Sequence, residues 1–109
     1  MFPKPIRLQL RQEKDFFQTA KRKSFPLFQV MYRPAEQTQF AVIVPKKVSA
    51  SSAKRHKVLR RMRQVLVQNQ EKFVNKQVVV VVFYSSLEKS FAELTQAIEK
   101  AAVEVASSK

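Results

Sequence analysis

Glycine is wholly absent from this chain of 109 residues, whereas globular proteins average about 7%. No glycine-rich loop can therefore cradle a phosphate, which excludes P-loop nucleotide enzymes and the dinucleotide fingerprint. Cysteine is absent too, and with it a disulfide framework, a thiolate zinc site and a cysteine nucleophile. A single histidine, His56, cannot build a His-rich metal site. The longest apolar run, Val78 to Tyr84, is too short to cross a bilayer. The N-terminus MFPKPIRLQL carries prolines and charges rather than a signal-peptide stretch. A cytoplasmic protein without a membrane partner or a small-molecule cofactor is the expectation. The last scarcity is of acid: 8 Asp and Glu stand against 21 Lys and Arg, a formal charge of +13.

What is present suffices for one core. The chain is 45% apolar and 10% aromatic, near the usual size of a single domain, so residues 1–109 are expected to form one unit. The charge is unevenly spread. Residues 1–63 hold 16 basic and 3 acidic residues, and the remaining 46 hold 5 of each. The first part thus makes an electrostatic contact with a polyanion, and the last part completes the fold.

Pro3 and Pro5 bias residues 1–10 to extended backbone. Gln12 to Lys21 then reads as a short helix with Phe16, Phe17 and Ala20 at helical spacing and a basic end at Lys21 to Lys23. Leu27 to Arg33 and Gln39 to Val44 read as strands, expected to pair as a hairpin around a turn at Pro34 to Thr38, with Pro45 ending the second. An extra short strand is possible at Ser24 to Phe25. Ser51 or Ser52 can cap a long helix running to about Phe73. Its wheel gathers Val58, Leu59, Met62, Val65 and Leu66 on one side and Lys57, Arg60, Arg61 and Arg63 on the other. After a turn at Asn75 and Lys76, Val78 to Tyr84 reads as a strand buried on both faces. Lys89 to Ala106 is the last helix, with Phe91, Leu94, Ala97, Ile98 and Ala101 inward. The fold class is α+β: a small mixed sheet with packed helices in the order α-β-β-(β)-α-β-α.

Like charges on one helix face repel unless a polyanion or solvent relieves them, and no acidic residue occurs between Lys46 and Arg63. Arginine suits phosphate because its planar fork donates paired hydrogen bonds. A membrane surface fits less well, since the apolar side of this helix lacks Trp and Phe and is needed for the core. No zinc-finger spacing, zipper heptads or convincing helix-turn-helix points to sequence-specific DNA reading. Phe16, Phe17, Phe28 and Tyr32 are of a type that stacks unpaired bases, although rings at such spacing are more often core. An autonomous nuclease would need clustered carboxylates or a positioned histidine base, and the basic part offers only Glu13, Asp15, Glu36 and His56. A ribosomal or other structural RNA-binding protein with no role in tRNA cleavage would carry the same charge pattern.

The segment FAVIVPKKVSASSAKRHKVLRRMR, Phe40 to Arg63, resembles the signature of the bacterial ribonuclease P protein component. There, a strand ending in Lys-Lys leads through a small-residue loop into a helix opening with Arg-Asn-Arg or Arg-Asn-Lys and a basic run. Lys46 and Lys47 match the lysine pair, Arg55-His56-Lys57 the Arg-Asn-Arg element, and Val58 to Arg63 its continuation. Arg7-Leu8 followed by Lys14-Asp15-Phe16 is similar to that family's first helix. The resemblance implies a fold like the second domain of ribosomal protein S5, whose βαβ crossover has the rare left hand. It also implies a subunit that binds the catalytic ribonuclease P RNA and the single-stranded 5′ leader of precursor tRNA. The RNA and its Mg²⁺ would then perform the hydrolysis, with no catalytic or metal-binding residue in the protein. On that basis Lys46, Lys47, Lys54, Arg55, His56, Lys57, Arg60, Arg61 and Arg63 are the RNA-binding candidates. Phe16, Phe17 and Tyr32 are the candidates for the leader cleft. Three departures accompany the resemblance: His56 stands in place of Asn, Ala20 in place of a second aromatic, and Ser49-Ala50-Ser51 in a loop without glycine.

Overall fold

The structure, a computed structural model, describes Phe2 and residues 6–107, with the side chain of Ser107 excepted. The bias expected of Pro3 and Pro5 lies outside the described residues. A four-residue helix α1 (Phe16–Thr19) leads into β1 (Lys21–Ser24), β2 (Phe28–Pro34) and β3 (Gln39–Ile43). Helix α2 (Ser52–Gln68), strand β4 (Lys76–Val82) and helix α3 (Phe91–Ser107) follow. Single 3-10 turns sit at Lys46–Val48, Gln70–Lys72 and Tyr84–Ser86.

The four strands form one mixed sheet in the order β1-β2-β4-β3. This overturns the expected hairpin between the second and third strands. β2 pairs antiparallel with β1 on one side and β4 on the other, and β3 pairs in parallel with β4 rather than with β2. The reason lies in β4: its valines are buried at Val78, Val79, Val80 and Val82. β-branched side chains covered on both faces belong in the sheet interior, so β4 takes the place between β2 and β3.

Several boundaries also differ from expectation. The first helix is shorter than Gln12 to Lys21, because turns occupy the residues before Phe16 and Ala20 is already extended (φ −73°, ψ 144°). Lys21 to Lys23 are strand residues, and the short strand expected at Ser24 to Phe25 begins at Lys21 instead. Arg7 and Leu8 belong to no helix: Arg7 bridges Phe40 in parallel, and the Leu8 amide donates to the Phe40 carbonyl at 2.8 Å, along the outer edge of β3. Helix α2 ends at Gln68 rather than near Phe73, where the Asn69 side chain donates back to the Val65 carbonyl at 2.8 Å. Its start is capped by Ser51, whose Oγ accepts from the Lys54 amide at 3.3 Å. Helix α3 begins with a capping box, in which Ser90 Oγ accepts from the Glu93 amide and the Glu93 carboxylate accepts from the Ser90 amide, both at 3.2 Å.

Of the turn expected at Asn75 and Lys76, only Asn75 is a turn residue, because Lys76 already opens β4. Asn75 adopts a left-handed backbone (φ 52°), a conformation that Asn tolerates better than most residues in a chain without glycine. Thr38 locks it, donating to the Phe73 carbonyl at 2.7 Å and accepting from the Asn75 amide at 3.1 Å.

Helices α2 and α3 pack on one face of the sheet. Val58, Met62, Val65 and Leu66 from α2 and Leu94, Ile98, Ala101 and Val105 from α3 meet Phe28, Val30, Tyr32, Phe40, Val78, Val80 and Val82. Each large apolar side chain in this layer contributes about 1.5–3 kcal/mol on burial. The other face carries a smaller cluster, Leu8, Phe16, Met31 and Val79.

Candidate nucleic-acid interface

Two surfaces meet at the turn after β3. The first is the outer side of α2. Burial of its apolar stripe leaves Lys54, His56, Lys57 and Arg60 exposed, with Arg63 half-buried. Ion pairs among the described residues involve Lys23, Arg33, Lys72 and Lys89 with acidic partners. None of those pairs includes a residue of α2, so its positive field is not cancelled by a carboxylate at contact distance. Lys46 and Lys47 are exposed on the 3-10 turn that leads toward the helix.

Arg55 and Arg61 stand apart from this exposed array. Arg55 lies one turn before Leu59 and two before Met62, hence on the apolar side of the wheel. It is half-buried, and its Nε is buried without a hydrogen-bond partner. With Val42, Val44, Ser52, His56 and Leu59 it lines a cavity of about 220 Å³ between the edge strand β3 and the first turns of α2. A buried donor with no acceptor is costly. Arg61 is partly committed to the fold, donating to the Lys89 carbonyl at 3.0 Å just ahead of α3.

The second surface is the face of the sheet that lacks α2 and α3. Register places Arg22, Met31, Val79 and Ala41 in one row across it, and Ser24, Gln29, Val81 and Ile43 in the next. One end is covered by α1. There Phe16 is fully buried against Leu8, Met31 and Val79, and the Phe17 ring stands edge-on to it at 5.6 Å with 40% of its surface exposed. The other end opens into a cavity of about 370 Å³ lined by Gln29, Pro45, Lys47, Val48, Val81, Val82, Phe83 and Tyr84.

The three aromatic cleft candidates therefore separate. Phe17 presents its ring, and Phe16 is the floor beneath it. Tyr32 lies on the opposite face, 3% exposed among the residues under the helices, because strand alternation sends Phe28, Val30 and Tyr32 together into the main core. The structure thus removes Tyr32 from the cleft. Sequence reasoning missed two groups. Tyr84 is 75% exposed at the open end, a placement hidden by its membership of an apolar run. Arg22 shares the open face and donates to the Phe17 carbonyl at 3.2 Å, which the expected helix end at Lys21 to Lys23 obscured.

Among the described residues, no three His, Asp or Glu side chains gather in a way that could hold a metal ion. No helix among them is long and apolar enough to cross a membrane. The arrangement offers cations, stacking surfaces and hydrogen-bond donors.

The model of the Ribonuclease P family matches residues 2–106 of this sequence. The chain belongs to the Ribonuclease P family. It is the accessory protein subunit of the endoribonuclease that matures tRNA 5′ ends, and it acts with the ribonuclease P RNA. Solved structures agree in fold. The RNase P protein from Thermotoga maritima superposes with a TM-score of 0.79 at 18% identity, covering 90% of this chain and 96% of that one. The RNase P protein of Staphylococcus aureus does so with a TM-score of 0.76 at 12% identity, covering 94% and 95%. No curated protein sequence matches significantly. The α+β architecture read from the sequence is thus the architecture of ribonuclease P proteins, a mixed sheet of four strands with three helices.

Proposed function

We propose that the two surfaces divide the work of this subunit. The exposed side of α2, with Lys54, His56, Lys57, Arg60 and the half-buried Arg63, grips the phosphates of the ribonuclease P RNA. The half-buried Arg55 contributes from the side of α2 that faces β3, and Arg61 assists while tying α2 to the start of α3. The open sheet face takes the unpaired 5′ leader of precursor tRNA. Phe17 and Tyr84 stack bases at its two ends, while Arg22, Lys46 and Lys47 meet the leader's phosphates. Residues 1–109 act as one RNA-binding unit in the cytoplasm.

The observation that carries this reading is the juxtaposition at Lys46–Val48, where a helix face without acid adjoins an apolar sheet face with an exposed ring at each end. Three negatively charged partners, the leader, the tRNA and the catalytic RNA, repel one another. A subunit of charge +13 between them offsets that repulsion and lowers the Mg²⁺ that the RNA needs. Mg²⁺ belongs with the RNA, where it supplies the chemistry of phosphodiester hydrolysis. The protein binds and orients.

The test is cleavage of a 5′-extended precursor tRNA by a bacterial ribonuclease P RNA at limiting Mg²⁺, with the protein, without it, and with the protein alone. Rescue by the protein together with inactivity of the protein alone is the expected result. Tight RNA binding without rescue would remove the leader from the proposal.

A further inference from the structure

Helix α1, which carries Phe17, has only four residues. Helices that short do not persist in water, since nucleation costs more than one or two hydrogen bonds return. Asp15 at its start makes no side-chain capping bond. Besides the buried Phe16 ring, a side chain from the sheet holds α1. Arg33 of β2, 17% exposed, donates from Nε to Gln77 Oε1 at 2.7 Å and from one terminal nitrogen to Thr19 Oγ1 at 2.9 Å. The same nitrogen lies 3.2 Å from Asp15 Oδ1, and the other terminal nitrogen lies 3.2 Å from Glu13 Oε2. Its guanidinium carbon sits 5.1 Å from the centre of the Phe16 ring. Gln77, buried on β4, is itself fixed, donating to Glu13 Oε1 at 2.9 Å and to Gln39 Oε1 at 3.1 Å.

One guanidinium therefore reaches the segment before α1, its first residue and its last, while bonded to the central strand. We propose that Arg33 is a positioning residue of the leader cleft: it clamps α1 to the sheet so that the Phe17 ring is held at a fixed height above the open face. This rests on the reading of that face as the leader site. The planar fork is essential to the arrangement. A lysine would keep the charge, yet its single ammonium cannot bond Gln77, Asp15, Thr19 and Glu13 at once. The main core lies on the other side of the sheet and includes no part of the clamp, so loosening α1 leaves that core standing.

The experiment compares the wild-type chain with Arg33→Lys and Arg33→Ala. Each is assembled with ribonuclease P RNA and titrated with precursor tRNA bearing a leader and with mature tRNA lacking one. In both variants the preference for precursor over mature tRNA is expected to fall by about tenfold, the scale of one lost stacked base. Affinity for ribonuclease P RNA and the thermal unfolding midpoint of Arg33→Lys should stay at wild-type values. The Ala20 amide, which donates to the Phe16 carbonyl at 2.9 Å, should lose hydrogen-exchange protection while amides of β4 and α3 keep theirs. The salt dependence of precursor binding should keep its slope, because Arg33 touches no phosphate. A slope shallower by about one unit would make Arg33 a direct RNA ligand and overturn the proposal. So would an Arg33→Lys protein indistinguishable from wild type, or parallel loss of both RNA affinities with global unfolding. A wild type that fails to prefer precursor would instead overturn the reading of the open face, and the proposal with it.

Discussion

The two faces of the sheet are built on opposite principles. Under α2 and α3 the contact is apolar and continuous, with Phe28, Phe40, Phe73, Met62, Leu66, Leu94 and Ile98 all fully buried. Across the sheet, the only helix among the described residues is α1, and one buried ring together with a set of charged hydrogen bonds holds it. The larger core thus lies under α2 and α3, and the proposed leader surface is left with little cover of its own. A binding face cannot be filled by its own protein, so the fold keeps it open and spends polar contacts on placing a few rings.

The sharpest way to break this contrast is to damage the helix-covered face. Leu94→Ala or Phe40→Ala should destabilise the chain by about 3–5 kcal/mol, read as a lower midpoint in urea unfolding, since each leaves a cavity in a packed layer. On the other side of the contrast, Lys57→Ala with Arg60→Ala removes two exposed cations. Affinity for ribonuclease P RNA should fall, with a log–log salt slope shallower by about 2 and an unchanged melting curve. An unfolded double variant would mean that these side chains serve the core. Tyr84→Ala should weaken precursor binding by about 1–3 kcal/mol while leaving mature tRNA binding as it was. A smaller effect is expected from Ser51→Ala, about 1 kcal/mol from the lost cap of α2, measured by thermal unfolding.

The smallest effect concerns acid. The Ser90 backbone and hydroxyl bonds, with nearby Lys89, hold the Glu93 carboxyl below its usual value of 4.5. A carboxylate held low stabilises the folded chain above that value, and the contribution is lost as pH falls through the folded-state value. Glu93→Gln should therefore lower stability slightly at neutral pH, the effect being small because the side chain is exposed. The difference from wild type should vanish as pH falls below 4.5, which flattens the acid limb of the profile.

Much of this was legible in the residues. The valine run announced a strand buried on both faces, the α2 wheel separated core from cation, and the signature around Lys46, Lys47 and Arg55 to Arg63 pointed to the family. What failed was non-local. Nothing in Leu27 to Val44 says that a strand from Val78 onward will enter between its two halves, because hairpin pairing is the cheaper local solution until β4 exists. Tyr32 was misjudged for a related reason: alternation tells which residues share a face, and only the packing of α2 and α3 tells which face is closed. Arg33 and Gln77 carried no motif, since their partnership is made by register across the sheet.

The insertion of β4 also sets an order of events during synthesis. While the chain emerges, β1 and β2 can pair at once, but β3 has only the short stretch at Arg7 and Leu8 to lie against until residues 76–82 leave the ribosome. Until then the 17 of the 21 cations that lie in residues 1–75 hang on a chain whose central strand is missing. A late central strand therefore gives such a nascent chain an interval in which RNA can be met before the fold that presents those cations is complete.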